Sequence, residues 1–185
     1  MKIYRFIGEY EFLSNFHPVV IIFEGIRYAS VEHAYVASKT MDKQFRKKIA
    51  KLTGNYAALA KKMGRKCRVR PGWEEIKLRL MRDFLTQKFT QEPLKTQLLQ
   101  TGDQELIEGN YWHDNYWGEC ICEKCNGVVN SQNHLGKLLM EIREKVKGKE
   151  NVSTVCYSSH GCDWGVPSEV HSTNDPQGDG KGSHD

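Results

Sequence analysis

The sequence lacks any apolar run approaching the length of a membrane span, and Met1-Lys2-Ile3 opens a strand-like segment where a leader would need a basic then apolar stretch. Both absences point to a protein with no membrane association and to the cytoplasm. A strong charge imbalance is missing too. The net charge of +4 permits phosphorylated or nucleic-acid ligands without requiring them. No internal repeat is present. Nor is there a disulfide framework of the extracellular kind: of six cysteines, Cys120, Cys122 and Cys125 crowd into a single short stretch, which fits reduced thiols or a metal site better than cross-links. No histidine is tied to a cysteine by a recognisable motif, which weighs against a catalytic thiol.

What is present is the composition of an ordinary globular domain, 39% apolar and 27% charged over 185 residues, long enough for one core of its own. The most informative stretch is 105–143. It holds an aromatic and acidic cluster (Tyr111, Trp112, His113, Asp114, Tyr116, Trp117), the three cysteines, and then a helix whose apolar face is Leu135, Leu138, Leu139, Ile142 and Val146. Asn133 stands at the cap position, and Lys145, Lys147 and Gly148 stand where that helix should end. Large aromatics beside an acid in an irregular segment suit a pocket for a flat, polar ligand.

The rest of the chain predicts an α+β fold that is mainly helical, a small N-terminal antiparallel sheet packed by about six helices. Lys2–Ile7 reads as a strand, and Val19–Phe23 and Ile26–Tyr28 as a hairpin turned at Glu24-Gly25. Ser30 should cap a helix over 31–38, followed by helices over 42–52, from Asn55 to about Gly64, over 73–89 and over 93–100, with a short strand near 105–108. Residues 1–148 form the expected domain, with a cysteine-bearing loop at 119–132. Residues 149–185, poor in apolar side chains beyond 163, read as a flexible tail.

Taken together, Phe12-Leu-Ser-Asn-Phe16, Ser30-Val-Glu-His33, Lys39, Met63-Gly-Arg65, Trp73, Lys88-Phe89, Thr101-Gly102, Asp114-Asn-Tyr-Trp-Gly118 and Asn133-His-Leu-Gly136 resemble, in order, the motifs of the YbiA-like or NADAR family of N-glycosidases. They cover roughly residues 3–147. The cysteine loop and the tail depart from the compact bacterial members and inherit nothing from the match. The resemblance implies hydrolysis of the C–N bond of a phosphorylated N-riboside or an ADP-ribosyl adduct, such as a riboflavin-pathway intermediate or ADP-ribosylated guanine in nucleic acid. No cofactor is required for that chemistry.

Cleaving an N-glycosidic bond passes through an oxocarbenium-like state, so a carboxylate near the anomeric carbon and a second acid for water or the leaving nitrogen are the needed parts. Glu32 and Asp114 are the two catalytic candidates. Against them stand a helix-dipole role for Glu32 and a turn-forming role for Asp114. Trp73 and Trp117 are candidates for stacking on the base, although either could be core. Asn15 and Phe16 could hold the sugar or base, Lys39 and Arg65 the phosphate, and Asn133 could face the ligand or only cap its helix. Cys120, Cys122 and Cys125 have spacing that suits a structural zinc, with a fourth ligand from Cys67, His113, His134 or the pair Cys156 and Cys162. Two other functions fit these residues: a sensor that binds NAD or ADP-ribose without turnover, and a zinc-stabilised nucleic-acid-binding protein.

Overall fold

The computed structural model describes residues 1–125 and 130–155, with side chains to residue 148. In chain order it has β1 (Lys2–Tyr4), a 3-10 turn (Gly8–Leu13), β2 (Pro18–Phe23), β3 (Ile26–Ser30), α1 (Val31–Ser38), α2 (Lys43–Ala50) and a 3-10 turn (Gly54–Tyr56). There follow α3 (Ala57–Gly64), α4 (Trp73–Phe89), α5 (Leu94–Gln100), β4 (Glu105–Ile107), β5 (Gly109–Asn110), β6 (Glu119–Cys120) and α6 (His134–Val155). The fold is α+β and mainly helical.

Helix α1 is the centre. All eight of its residues are buried, so it has no polar face, as expected of a helix surrounded by other elements. Ser30 caps it as its sequence predicts, its hydroxyl accepting from the His33 N–H at 3.3 Å. Its other end is closed by buried Arg46 of α2, whose Nε donates to Ala37 O and Thr40 O at 3.2 and 2.8 Å. These bonds satisfy carbonyls that a helix terminus leaves orphaned. Asp42 caps α2 through Gln44 and Phe45.

The β2–β3 hairpin is antiparallel, Ile21 opposite Tyr28 and Phe23 opposite Ile26. It lies against α4, where Phe23 meets Phe84 edge-on at 5.5 Å and Gln87 exchanges two hydrogen bonds with the backbone of Ile22. Gln87 thereby satisfies part of an open strand edge.

Four expectations need correction. The strands do not form one N-terminal sheet, because β1 pairs in parallel with distant β4, Ile3 opposite Leu106, and β5 pairs in parallel with β6. Local periodicity carries no information on such long-range pairing. Asn55 does not cap α3; it lies inside a 3-10 turn, and the capping position, Tyr56, makes no side-chain bond. The first strand stops at Tyr4, since Arg5 takes a left-handed φ of 74°. Helix α6 passes through Gly148 and runs to Val155, so the first residues expected in the tail continue the helix; an interior glycine costs only about 1 kcal/mol. The remaining tail, 156–185, lies outside the described residues.

Candidate active site

The N-terminus of α1 places Glu32 at the heart of the molecule, 7% exposed. Its N–H donates to Asn15 O at 2.9 Å, which fixes the Phe12–Phe16 loop against the helix start. Burial pushes the Glu32 carboxyl above its ordinary range, and the Asp114 charge adds to the push. Lys61, Lys39 and Arg65 pull it back. Four charged groups thus act on one carboxyl: Lys39 at the end of α1, Lys61 in α3, Arg65 at the end of α3, and Asp114.

A third acid belongs to this group. Glu108, between β4 and β5, is pushed up to about 7, chiefly by burial; Lys61 and Arg5 act against the shift, Asp114 and Glu32 with it. Its Oε2 is buried and has no hydrogen-bond partner among the described residues. Carboxyl groups crowded in this way cannot all ionise cheaply, so one of them retains a proton near neutral pH. Sequence reading missed Glu108 because it follows a short strand and belongs to no motif. The one signal was its position between the strand and the aromatic cluster.

Two close packings hold Glu108 in place. A Cβ on Gly118 would lie 2.0 Å from Glu108 O, and one on Gly136 would lie 2.0 Å from Leu106 O, so only glycine lets these backbones approach. Asn133 completes the arrangement. Its Oδ1 accepts from Glu108 N–H at 3.2 Å and its Nδ2 donates to Leu106 O at 2.9 Å. Both ends of the Asn133 amide thus bond backbone outside its own helix.

Asp114 sits in a tight turn. Its Oδ1 accepts from Trp117 N–H at 2.9 Å, and its own backbone is held by the buried Asn110 side chain at both N–H and C=O. The turn-forming role is therefore real, and it coexists with an electrostatic one, because the Asp114 charge acts on both Glu32 and Glu108. Trp117 packs edge-on against Tyr35 of α1 at 5.5 Å and against Tyr116 at 5.0 Å. Tyr35 lies one helical turn from Glu32, so this ring contact joins the Asp114 turn to the Glu32 helix. Trp73 is core: it is 8% exposed and packs on Tyr35 at 5.2 Å. In the free protein it supports Tyr35.

At the rim, Lys61 Nζ lies over the rings of both Phe16 and Trp112, at 5.6 and 5.3 Å, and Lys39 Nζ lies 5.0 Å over the Tyr35 ring. Trp112 is 55% exposed, the only tryptophan among the described residues with a largely open face, and sequence reading did not assign it to the ligand. Below the loop, the fully buried Lys88 donates to Ser14 O at 2.7 Å, and burial pulls its amine down to about 7. The Asn15 Oδ1 is buried and has no partner among the described residues, while its Nδ2 reaches Met81 Sδ at 3.5 Å. A separate groove of about 750 Å³ opens between α2 and the segment 65–71, lined by Phe45, Met63, Lys66, Arg68 and Arg70 among others. It includes none of the three acids, so it is not the chemical site.

The expected residues thus converge for the most part. Asp114, Lys39 and Arg65 all act on Glu32, Asn15 holds the Glu32 N–H, Phe16 lies under Lys61, and Trp117 packs on Tyr35. The cysteines gather apart from the acids: Cys120, Cys122 and Cys125 meet His113. Cys67 instead donates to Gly64 O, and His134 pairs with Gln132 and the Tyr116 ring. Cys156 and Cys162 lie outside the described residues.

A profile of the NADAR domain matches residues 5–147. The chain belongs to the NADAR domain family. It is 31% identical over 147 residues to N-glycosidase YbiA of Escherichia coli strain K12, covering 79% of this chain and 88% of that protein. The NMR structure of E. coli YbiA superposes with a TM-score of 0.65 at 29% identity, covering 88% of this chain and 90% of that one. A riboflavin biosynthesis protein of Vibrio vulnificus is 36% identical over 139 residues, 74% of this chain, but this chain spans only 35% of its length. The NADAR unit is thus one part of that larger relative.

Proposed function

We propose that this NADAR-family protein is an N-glycosidase that hydrolyses the C–N bond between a phosphorylated ribose and a flat heterocycle. The observation that carries the reading is the group of three mutually interacting acids, Glu32, Glu108 and Asp114, set under Lys39, Lys61 and Arg65. The names of the relatives supply the reaction class, and the riboflavin relative favours a phosphorylated riboside over an ADP-ribosyl adduct.

The division of labour follows from charge. Glu32 is buried and poorly compensated in the free protein, so a positive charge developing on the sugar ring is the partner it lacks. That attraction exists in the transition state and not in the neutral ground state, which is what accelerates a reaction. Glu108, poised at about 7, is suited to hand a proton to the departing nitrogen. Asp114 keeps one carboxylate oxygen, Oδ2, outside its turn bond and can take the proton of the attacking water. The bond from the anomeric carbon to nitrogen breaks with its electron pair going to nitrogen. Water oxygen adds to the anomeric carbon, and the proton it loses passes to the Asp114 carboxylate. Lys39 and Arg65, whose charges reach Glu32, are the groups this reading gives to the phosphate, and a guanidinium can hold it in bidentate fashion. Trp112 and Phe16, flanking Lys61, offer faces to the heterocycle.

The test is incubation of the purified protein with a panel of phosphorylated N-ribosides and ADP-ribosylated guanine, with products resolved by mass spectrometry. Release of free heterocycle and ribose phosphate is the expected result. Release of guanine alone would move the substrate class to ADP-ribosyl adducts. A bound ligand recovered intact from every incubation would reject hydrolysis in favour of a sensor.

A further inference from the structure

We propose that His113, Cys120, Cys122 and Cys125 bind one zinc ion, and that this ion clamps the turn that carries Asp114 and Trp117. The four ligand atoms lie within 4.8 Å of one another. His113 Nδ1 stands 3.2 Å from Cys125 Sγ, 3.4 Å from Cys122 Sγ and 3.8 Å from Cys120 Sγ. A tetrahedron with zinc–sulfur and zinc–nitrogen bonds of usual length has N···S edges of about 3.6 Å, which is the middle of that range. Hydrogen bonding does not account for the cluster, because one ring nitrogen carries at most one proton and serves one sulfur.

The surroundings are those of a ligand shell. Asn115 donates from Nδ2 to Cys125 Sγ at 3.7 Å, while its Oδ1 accepts from Cys120 N–H at 3.0 Å and Ser131 Oγ–H at 2.8 Å. A single side chain therefore orients two of the cysteines, as outer-shell groups do around metals. Three soft thiolates with one imidazole select zinc over calcium or magnesium, and four protein ligands leave no open position, so the ion is structural. Binding is a proton exchange with no redox step: the thiols release their protons to solvent as the Zn–S bonds form.

The position gives the ion its consequence. His113 immediately precedes Asp114 and holds a left-handed φ of 63°, and Cys120 closes the same loop through the β5–β6 pairing of Asn110 with Cys120. Ligands at both ends of 113–120 therefore fix a segment that contains Asp114 and Trp117. The effect on turnover rests on the glycosidase reading; the metal site does not.

The experiment uses the full chain, expressed with zinc and purified under reductant. Elemental analysis should find about one zinc per chain, and exchange with cobalt(II) should give thiolate-to-cobalt charge transfer with the intense visible bands of a tetrahedral ion. Chelation should lower the melting temperature and slow turnover, and added zinc should restore both. The double variant Cys122→Ser, Cys125→Ser should lose the metal; if it fails to fold, the cobalt spectrum of the natural chain decides. A chain that neither carries zinc nor takes it up from a buffered solution overturns the site, as does cobalt that stays octahedral. Bound zinc whose removal leaves turnover unchanged, in a protein that does hydrolyse its substrate, overturns the clamp. If no hydrolysis is found with any substrate, metal content and melting still test the site.

Discussion

Glu108 and Trp112 are the residues whose roles emerged only in three dimensions, and each carries a prediction at its own scale. Glu108 has an ordinary carboxyl value of 4.5 raised to about 7. If it donates the proton to the leaving nitrogen, kcat/KM should fall as pH rises through about 7, and Glu108→Gln should abolish that limb while slowing the reaction about 100-fold. Stability gives a second readout. A carboxyl that holds its proton more tightly when folded loses stability as pH rises from 4.5 to its folded value, here an effect on the order of 3 kcal/mol at about 1.4 kcal/mol per unit. The melting temperature of Glu108→Gln relative to the natural protein should therefore climb between pH 4.5 and 7 and level off above. A difference independent of pH would show that the carboxyl is not perturbed. The two tryptophans should separate as well. Trp112→Ala should weaken substrate binding about tenfold with little change in melting, because its ring is largely open. Trp117→Ala should lower the melting temperature, since it removes a ring packed on Tyr35 and Tyr116. Equal effects of both substitutions on binding and melting would contradict the assignment.

At the scale of elements, the loop-to-helix junction at Asn133 makes the sharpest case. Asn133 has a left-handed φ of 45° and two side-chain bonds to the strand that leads to Glu108. Asn133→Gly removes the bonds and keeps the backbone at ease, at a cost of about 1–3 kcal/mol. Asn133→Ala removes the bonds and adds left-handed strain, so it should cost about 1–2 kcal/mol more. Urea denaturation of the two variants measures the difference, and equal stabilities would show that the backbone there is not strained. The same junction shows what a sequence can and cannot reveal. Ser30 placed the start of α1 because capping is a local hydrogen bond between neighbours. Asn133 marked the start of α6 although its side chain bonds a distant strand and not its own helix. The pairing of β1 with β4 depends on residues about a hundred positions apart, and nothing local encodes it. Gly148 misled for a related reason: a stop signal is a small local preference, and a helix can continue through it. Of the site, the motif residues Glu32, Asp114, Lys39 and Arg65 were legible through resemblance, whereas Glu108 became visible only once the fold buried it beside them. Trp73 was ambiguous on its own terms, since a large ring serves core and pocket equally well until its neighbours are known.

On the scale of the whole molecule, the site exists only when the fold is complete. Glu32 comes from α1, Lys61 from α3, Glu108 from the link between β4 and β5, and Asp114 from the turn before β6, each held by packing on a different neighbour. Among the described residues, no helix is long and apolar enough to cross a membrane, and the solvated rim above the acids carries Lys39, Lys61 and Arg65, a pattern suited to a phosphorylated ligand. The central claim is that this assembly puts a buried negative charge where the sugar becomes positive. Glu32→Gln keeps the shape and removes the charge. Single-turnover rate and ligand affinity, measured on one preparation of that variant, test the claim most directly. The account predicts a fall in rate of at least about 100-fold with affinity little changed, because the ground-state sugar offers no positive charge to attract. A rate close to that of the natural protein would remove Glu32 from the mechanism and leave it as a carboxyl that only favours the start of its helix.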